Sequence, residues 1–445
     1  MTAASHTAQK QRNRRSGLVI VALCFAIMTI DGYDLMVYGA IAPALLDYSA
    51  WDLNASQVGL IASYTTFGML VGALSVGGLS DILGRRRVLL ACTVWFSLAT
   101  AITAMAPNPE VFGLFRFLAG VGLGGVMPTA IAQTVEYAPP GRKQFYNAMM
   151  FVGYSVGGVL ASLVALALLS ATGFRTLLWI GAAPALVLIP LLYFLLPESV
   201  SYLKRRGRVA EAERLVRDYG LEQDVTTPEA TTARQEKFGA LRHLLGRGRI
   251  GPLVLFSIAS FTGLMLVYGL NNWLPEIMRN AGYALNSSLG FLLVLNLGAV
   301  VGTVSVATLA DKVGPKIAVC LAFLAAVVSL TALSFQPQTV VLYLAVAIAG
   351  LGSIGTQILV NGYAAEYFPG WTRGTAVGIT LGVGRVGAVI APVLVGAILD
   401  SQLGFGWNFY VFVIAALLGL LMAILIPTRR SLADREKEDS SVAQV

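Results

Sequence analysis

Twelve long apolar runs, separated by short polar or glycine-rich breaks, occupy most of the chain: residues 17–46, 56–79, 87–106, 110–136, 144–170, 175–197, 251–278, 285–310, 315–335, 339–366, 374–399 and 406–427. Runs of about 20–30 residues match the length an α-helix needs to cross a hydrocarbon layer about 30 Å thick. None shows the alternating polar and apolar dyad of an outer-membrane barrel. The pattern therefore predicts an all-α membrane protein with twelve transmembrane helices. A polar stretch at 198–250, with alternating charges through Glu211, Glu213, Arg214, Arg217 and Asp218, divides six runs from six. The expected organisation is a tail at 1–16, a six-helix half at 17–197, a linker at 198–250, a second half at 251–427 and a tail at 428–445.

The two halves repeat each other. At a fixed offset of 230 residues Asp81 falls on Asp311, Gly84 on Gly314, Gly120 on Gly350, Gly122 on Gly352, Glu136 on Glu366 and Pro139 on Pro369. Parallel repeats of this kind imply pseudo-symmetric halves, with a substrate site expected near the midplane between them. Other charges break the repeat: Asp31 falls on Phe261, Asp34 on Leu264, Arg116 on Val346 and Arg385 on Ser155. The shared residues read as scaffold and the unshared charges as function.

Composition agrees with the pattern. The chain is 56% hydrophobic and 12% charged, with a mean hydropathy of +0.74, against about 25% charged in soluble domains. The net charge of +8 would suit nucleic acid, but its distribution argues otherwise. If both termini are cytoplasmic, every Lys and Arg lies inside except Arg175, Arg279 and the intramembrane Arg116 and Arg385. The positive-inside rule thus accounts for the charge and sets the orientation. The first run exceeds signal-peptide length, so the first helix itself is expected to act as the targeting signal. Cys24, Cys92 and Cys320 fall in separate runs without metal-ligand spacing. No phosphate-binding G-x-x-x-x-G-K-[ST] or zinc-type H-E-x-x-H run occurs, so no enzyme chemistry, metal or cofactor is expected.

Asp31 and Asp34 stand at i and i+3 in the middle of the first run, on one helix face. A carboxylate there costs about 2.5–3.5 kcal/mol on insertion scales, so a pair is expected to face protein or water and to act as a proton or ion site. Two such close acids resist joint ionisation in low dielectric and titrate as a pair. The alternative is that they merely bind a basic side chain. Arg385 sits about 17 Å into its run, near the midplane. Its planar fork suits a carboxylate ligand, or else an ion pair with Asp31 or Asp34. Arg116 lies nearer the end of its run, where snorkelling to the interface competes with a role as counter-charge. His6 and His243, the two histidines, fall outside the runs, so any proton coupling would rest on carboxylates.

The segment Gly77-Gly-Leu-Ser-Asp81-Ile-Leu-Gly84-Arg85-Arg86-Arg87 resembles the loop signature between the second and third helices of the major facilitator superfamily, with a weaker echo in Ala310-Asp311-Lys312-Val313-Gly314. Arg116-Phe-Leu-Ala-Gly-Val-Gly-Leu-Gly-Gly125 is similar to its fourth-helix motif, and Pro197-Glu198-Ser199 to the end of its sixth. Asp31-Gly-Tyr-Asp34-Leu-Met-Val-Tyr-Gly-Ala-Ile-Ala-Pro43 and Gly382-Val-Gly-Arg385-Val-Gly-Ala388 resemble the aromatic acid:proton symporters within it. Ile82, in place of a basic residue, and Pro315, in place of Arg, depart from the pattern.

The resemblance implies uptake of an aromatic carboxylate with protons across a bacterial inner membrane by alternating access. Benzoate, gentisate and protocatechuate are all compatible, and nothing demands more than a monomer. A sugar or organic-cation porter of the same superfamily is the alternative. Arg116 is then expected to offset Asp31 or Asp34, and Arg385 to bind substrate. Tyr33, Tyr38, Tyr154, Asn271, Asn272, Trp273, Gln357 and Asn361 would supply aromatic and polar walls, although Trp273 could equally belong to an interfacial belt. Asp81 and Gly84 with Arg85 and Arg86, Glu136 with Arg142, and the second copy Asp311, Glu366 and Arg373 fall at cytoplasmic helix ends. They are expected to form gate ion pairs, against a bland reading as exposed loop charges worth about 0–1 kcal/mol each.

Overall fold

Twelve helices are long and apolar enough to cross a membrane, in a computed structural model that describes residues 17–138, 143–221, 242–244, 246, 250–368, 370–401 and 403–427. The first unit of the chain contains α1 (Gly17–Leu46), α2 (Ala55–Leu83), α3 (Arg85–Met105), α4 (Pro109–Tyr137) and α5 (Lys143–Thr172). The sixth span follows as two pieces, α6 (Phe174–Ala182) and α7 (Ala185–Leu195), because Pro184 at the junction has no N–H to continue the ladder. Beyond it come two short helices, α8 (Val200–Arg205) and α9 (Val209–Tyr219). The remaining spans are α10 (Ile250–Asn280), α11 (Leu285–Val313), α12 (Pro315–Ser334), α13 (Thr339–Gly350), α14 (Thr356–Tyr367), α15 (Gly370–Asp400) and α16 (Trp407–Leu425). Helices α13 and α14 form one span, joined by a π-helical turn at Leu351–Gly355. The chain divides into two compact units, residues 1–228 with 283–296, and residues 229–282 with 297–445.

Local chemistry sets several helix starts. Asn54 opens α2 with a capping box, its side chain accepting from the Gln57 N–H at 2.8 Å while Gln57 accepts from the Asn54 N–H at 3.0 Å. Asn108 caps α4 by accepting from the Val111 N–H at 2.9 Å, with Pro109 at the first helical position. The segment expected to be a plain polar linker begins with α8 and α9. Ala212 and Val216 of α9 are buried, and Tyr219 meets Tyr137 edge-on with ring centroids 5.1 Å apart.

Helix α1 is a central helix, buried without interruption from Ile30 to Pro43. α10 is likewise buried from Met265 to Met278. By contrast α7 and α16 present Leu186, Phe194, Ile414 and Leu421 outward, as lipid-facing helices do. The approach of α1 to α5 requires glycine. A Cβ on Gly32 would collide with the Tyr154 carbonyl, and one on Gly157 with the Thr29 carbonyl. Because backbone atoms oppose it, Gly32→Ala is expected to cost about 3 kcal/mol, at the upper end of overpacking penalties. Thermal unfolding of the detergent-solubilised protein would show this as a clear drop in midpoint, whereas an unchanged midpoint would contradict the close approach.

Candidate functional site

Asp34 and Arg116 meet in the interior of the first unit. An Arg116 guanidinium nitrogen lies 2.9 Å from Asp34 Oδ2, and both side chains are 1% exposed. A second guanidinium nitrogen donates to the Asp34 backbone carbonyl at 3.3 Å. The Thr100 hydroxyl donates to Asp34 Oδ1 at 2.8 Å. Tyr38, one turn along α1, places its ring 5.4 Å from the guanidinium carbon and donates its hydroxyl to the Val58 carbonyl at 2.6 Å. Three helices thus converge on one carboxylate: α1 supplies it, α4 the cation and α3 the hydroxyl.

This geometry removes the snorkelling alternative for Arg116, which is sealed in protein and turned toward α1. The ion pair and the hydrogen bond between them engage both carboxylate oxygens of Asp34. A buried pair contributes little net stability, yet removal of one partner costs about 3–5 kcal/mol because the other charge is left uncompensated. Asp31, one turn earlier, is fully buried. Thr100 carried no mark in the sequence beyond being a polar residue in an apolar span, on a face shared with Thr93 and Thr103.

Some expected wall residues are tied down by the fold. The Tyr33 hydroxyl donates to the Leu177 carbonyl at 3.0 Å, so this ring braces α1 against α6. Its ring lines an apolar cavity of about 560 Å³ with Phe25, Leu160, Ile180 and Leu188. Tyr154 is buried on α5. In the second unit Trp273 is 1% exposed and donates its indole N–H to the Pro392 carbonyl at 2.9 Å, which excludes an interfacial belt. Asn271 donates to the Val267 carbonyl at 2.8 Å, and Asn272 is buried beside it. Gln357 donates to Ser260 Oγ at 3.0 Å and to Asn361 Oδ1 at 3.2 Å. Arg385 is half-buried on α15. Glu276, which the apolar pattern does not single out, is buried near the end of α10 with an oxygen 3.0 Å from Arg279.

At the end of the first unit that carries the Gly84 turn, Glu136 is the hub. It pairs with Arg85, accepts from the Ser199 hydroxyl at 2.8 Å and accepts from the Ser201 N–H at 2.9 Å. Arg85 also donates to the Ala132 carbonyl at 3.2 Å. Glu198 accepts from the Arg86 N–H at 3.1 Å, and its backbone carbonyl accepts from Tyr137 at 2.6 Å. Gly84 has φ +99°, a conformation side chains rarely adopt, and any Cβ there would strike the Glu198 carboxylate. The partner expected for Glu136, Arg142, lies outside the described residues, as do the side chains of Asp81 and Asp311. In the second copy Glu366 and Arg373 are exposed, and among the described residues no ion pair joins them. Among the described residues the second half therefore shows no counterpart of this knot.

The Gly153-Tyr-Ser155-Val-Gly157 run spells a G-x-S-x-G elbow, but it lies inside α5 and lacks the strand-to-helix turn that exposes a nucleophile. Among the described residues no group of three His, Cys, Asp or Glu side chains could hold a metal.

Residues 21–379 and 297–444 match the family described as Major Facilitator Superfamily. The benzoate transport protein of Acinetobacter baylyi is 36% identical over 420 residues, covering 92% of this chain and 90% of that protein. The gentisate transporter of Corynebacterium glutamicum is 36% identical over 423 residues, covering 94% and 89%. Among solved structures, the partially occluded inward-open xylose transporter XylE of E. coli superposes with a TM-score of 0.73 at 19% identity, over 93% of this chain and 100% of that one. At that identity the likeness speaks for the fold alone.

Proposed function

Since the chain belongs to the major facilitator superfamily, and so is a membrane transporter and not an enzyme, we propose that it imports an aromatic carboxylate together with protons by alternating access. The names of its relatives support the substrate class. The observation that carries the proton coupling is the sealed Asp34–Arg116 pair at mid-span.

The reasoning is electrostatic. While Arg116 contacts Asp34 the two buried charges offset each other. A conformer in which the two separate leaves the carboxylate to be neutralised by a proton instead. Any protein motion that opens and closes this pair therefore binds and releases H⁺, which is the linkage a symporter needs. Asp31, buried in the same helix, supplies a second acid one turn away. Arg385 binds the substrate carboxylate with its bidentate fork. Neutralising the passenger and the acid together avoids carrying bare charge through a closed, low-dielectric state. The basic loops favour both termini in the cytoplasm of a bacterial inner membrane, and the inward proton gradient there would drive import.

Proteoliposomes loaded at neutral pH and diluted into acidic buffer with radiolabelled benzoate, a hydroxybenzoate or glucose test this reading. Accumulation of an aromatic acid is expected to rise as the external pH falls, because the outward-facing acid then fills more readily. It is expected to collapse when a protonophore removes the gradient. Accumulation of glucose alone, or uptake indifferent to the gradient, would overturn the proposal.

A further inference from the structure

Within the second unit, α10 and α14 build a polar patch that the ion-pair chemistry does not use. Gln357 follows the π-helical turn Leu351–Gly355 by two residues and is 7% exposed. A turn of π-helix shifts the register of the residues after it and is common at functional sites. The side-chain amide has two N–H donors and one acceptor oxygen. Both donors are engaged, by Ser260 Oγ at 3.0 Å and by Asn361 Oδ1 at 3.2 Å. The amide plane is thereby fixed, and it cannot rotate without losing both bonds. Its Oε1 is buried and has no hydrogen-bond partner among the described residues. The surface opposite is Gly263, where a Cβ would sit 2.6 Å from that oxygen. Gly384 of α15 backs the patch, since a Cβ there would strike the Ser260 hydroxyl, and Arg385 is the next residue. Asn361 is half-exposed.

We propose that Gln357, oriented by Ser260 and Asn361, is a specificity-determining acceptor for a hydroxyl on the substrate ring, so that this transporter selects hydroxylated aromatic carboxylates over the unsubstituted acid. The inference rests on the aromatic carboxylate reading above and narrows it. A fixed, buried carbonyl oxygen rewards a donor and nothing else. A phenolic O–H supplies one, a ring C–H does not, and a methyl ether of the same phenol adds bulk without a proton. Burying an acceptor unmet is unfavourable, so the donor that satisfies it gains an advantage of about tenfold in affinity. Sites built on such a bond discriminate against analogues that lack the group more sharply than apolar pockets discriminate by size.

Binding to the full-length protein in detergent, followed by intrinsic fluorescence or calorimetry, tests this with benzoate, the 2-, 3- and 4-hydroxybenzoates and the matching methoxybenzoates. At least one hydroxybenzoate is expected to bind about tenfold more tightly than benzoate and than its own methyl ether. In Gln357→Leu this advantage is expected to fall to near one. Gly263→Ala is expected to do the same, because its methyl displaces Oε1, while alanine favours the helix and only a flexible side-chain end must move. Equal affinities for all the acids in the wild type, or an advantage that survives in both variants, would overturn the assignment while leaving aromatic carboxylate transport intact. Failure of every aromatic acid to bind would remove the underlying reading instead.

Discussion

Asp34→Asn is expected to abolish accumulation driven by a pH gradient and to leave counterflow of preloaded substrate measurable. Asn cannot exchange a proton, so the linkage between conformer and H⁺ disappears while the exchange of one loaded state for another survives. The same substitution leaves Arg116 in the interior with no opposing charge. Removing one member of a buried pair costs about 3–5 kcal/mol, a large fraction of the usual stability of a folded domain. Thermal unfolding in detergent should therefore show a marked loss for Asp34→Asn. The double variant Asp34→Asn, Arg116→Gln should recover much of that loss, since no bare charge remains. It should not recover accumulation. This separates the two roles of the pair, because a merely structural bridge would regain transport when stability returns. Full gradient-driven accumulation by Asp34→Asn would sink the coupling proposal outright.

The membrane architecture was legible because the bilayer imposes length and apolarity on each span, and both are properties of a linear string. The acids on α1 stood out for the same reason. What the string could not supply was facing. Asp34 and Thr100 are 66 positions apart, and nothing in the local pattern of α3 says that Thr100 rather than Thr93 reaches the carboxylate. Arg116 could be read as snorkelling, since its distance from the span end allowed it. Only the convergence of α1 and α4 turns it inward. The sixth span is continuous in its apolarity although Pro184 marks a break, and the π-helical turn in the tenth span leaves no compositional trace beyond its glycines. Glu136 shows the same limit: its carboxylate reaches across to Arg85 and to Ser199 and Ser201, residues joined to it only through the fold. Its counterpart in the weaker second copy, Glu366, is exposed and joins no ion pair among the described residues.

Glu136→Ala is expected to undo the docking of α8 and α9. The carboxylate holds the start of α8 through Ser199 and Ser201 and ties it to the start of α3 through Arg85. The pair is mostly buried, with side chains 17% and 12% exposed, so solvent screening weakens it only in part. The expected cost is near the lower end of the 3–5 kcal/mol range for breaking a buried pair, about 3 kcal/mol. The loss should be local, because α1 and the Asp34–Arg116 pair take no part in this knot. Limited proteolysis reads it directly. Lys204, Arg205 and Arg206 lie at the end of α8, and Arg206 is held by the Ile82 carbonyl at 2.7 Å. Trypsin should therefore cleave there at least tenfold faster in Glu136→Ala than in the wild type, with the span helices protected in both. Glu366→Ala, at the equivalent position of the second half, should leave the cleavage rate unchanged because that carboxylate is exposed. Equal responses in the two variants would mean that Glu136 acts as an ordinary surface charge and that the fold of residues 198–219 is held by apolar contacts such as Tyr137 on Tyr219 instead.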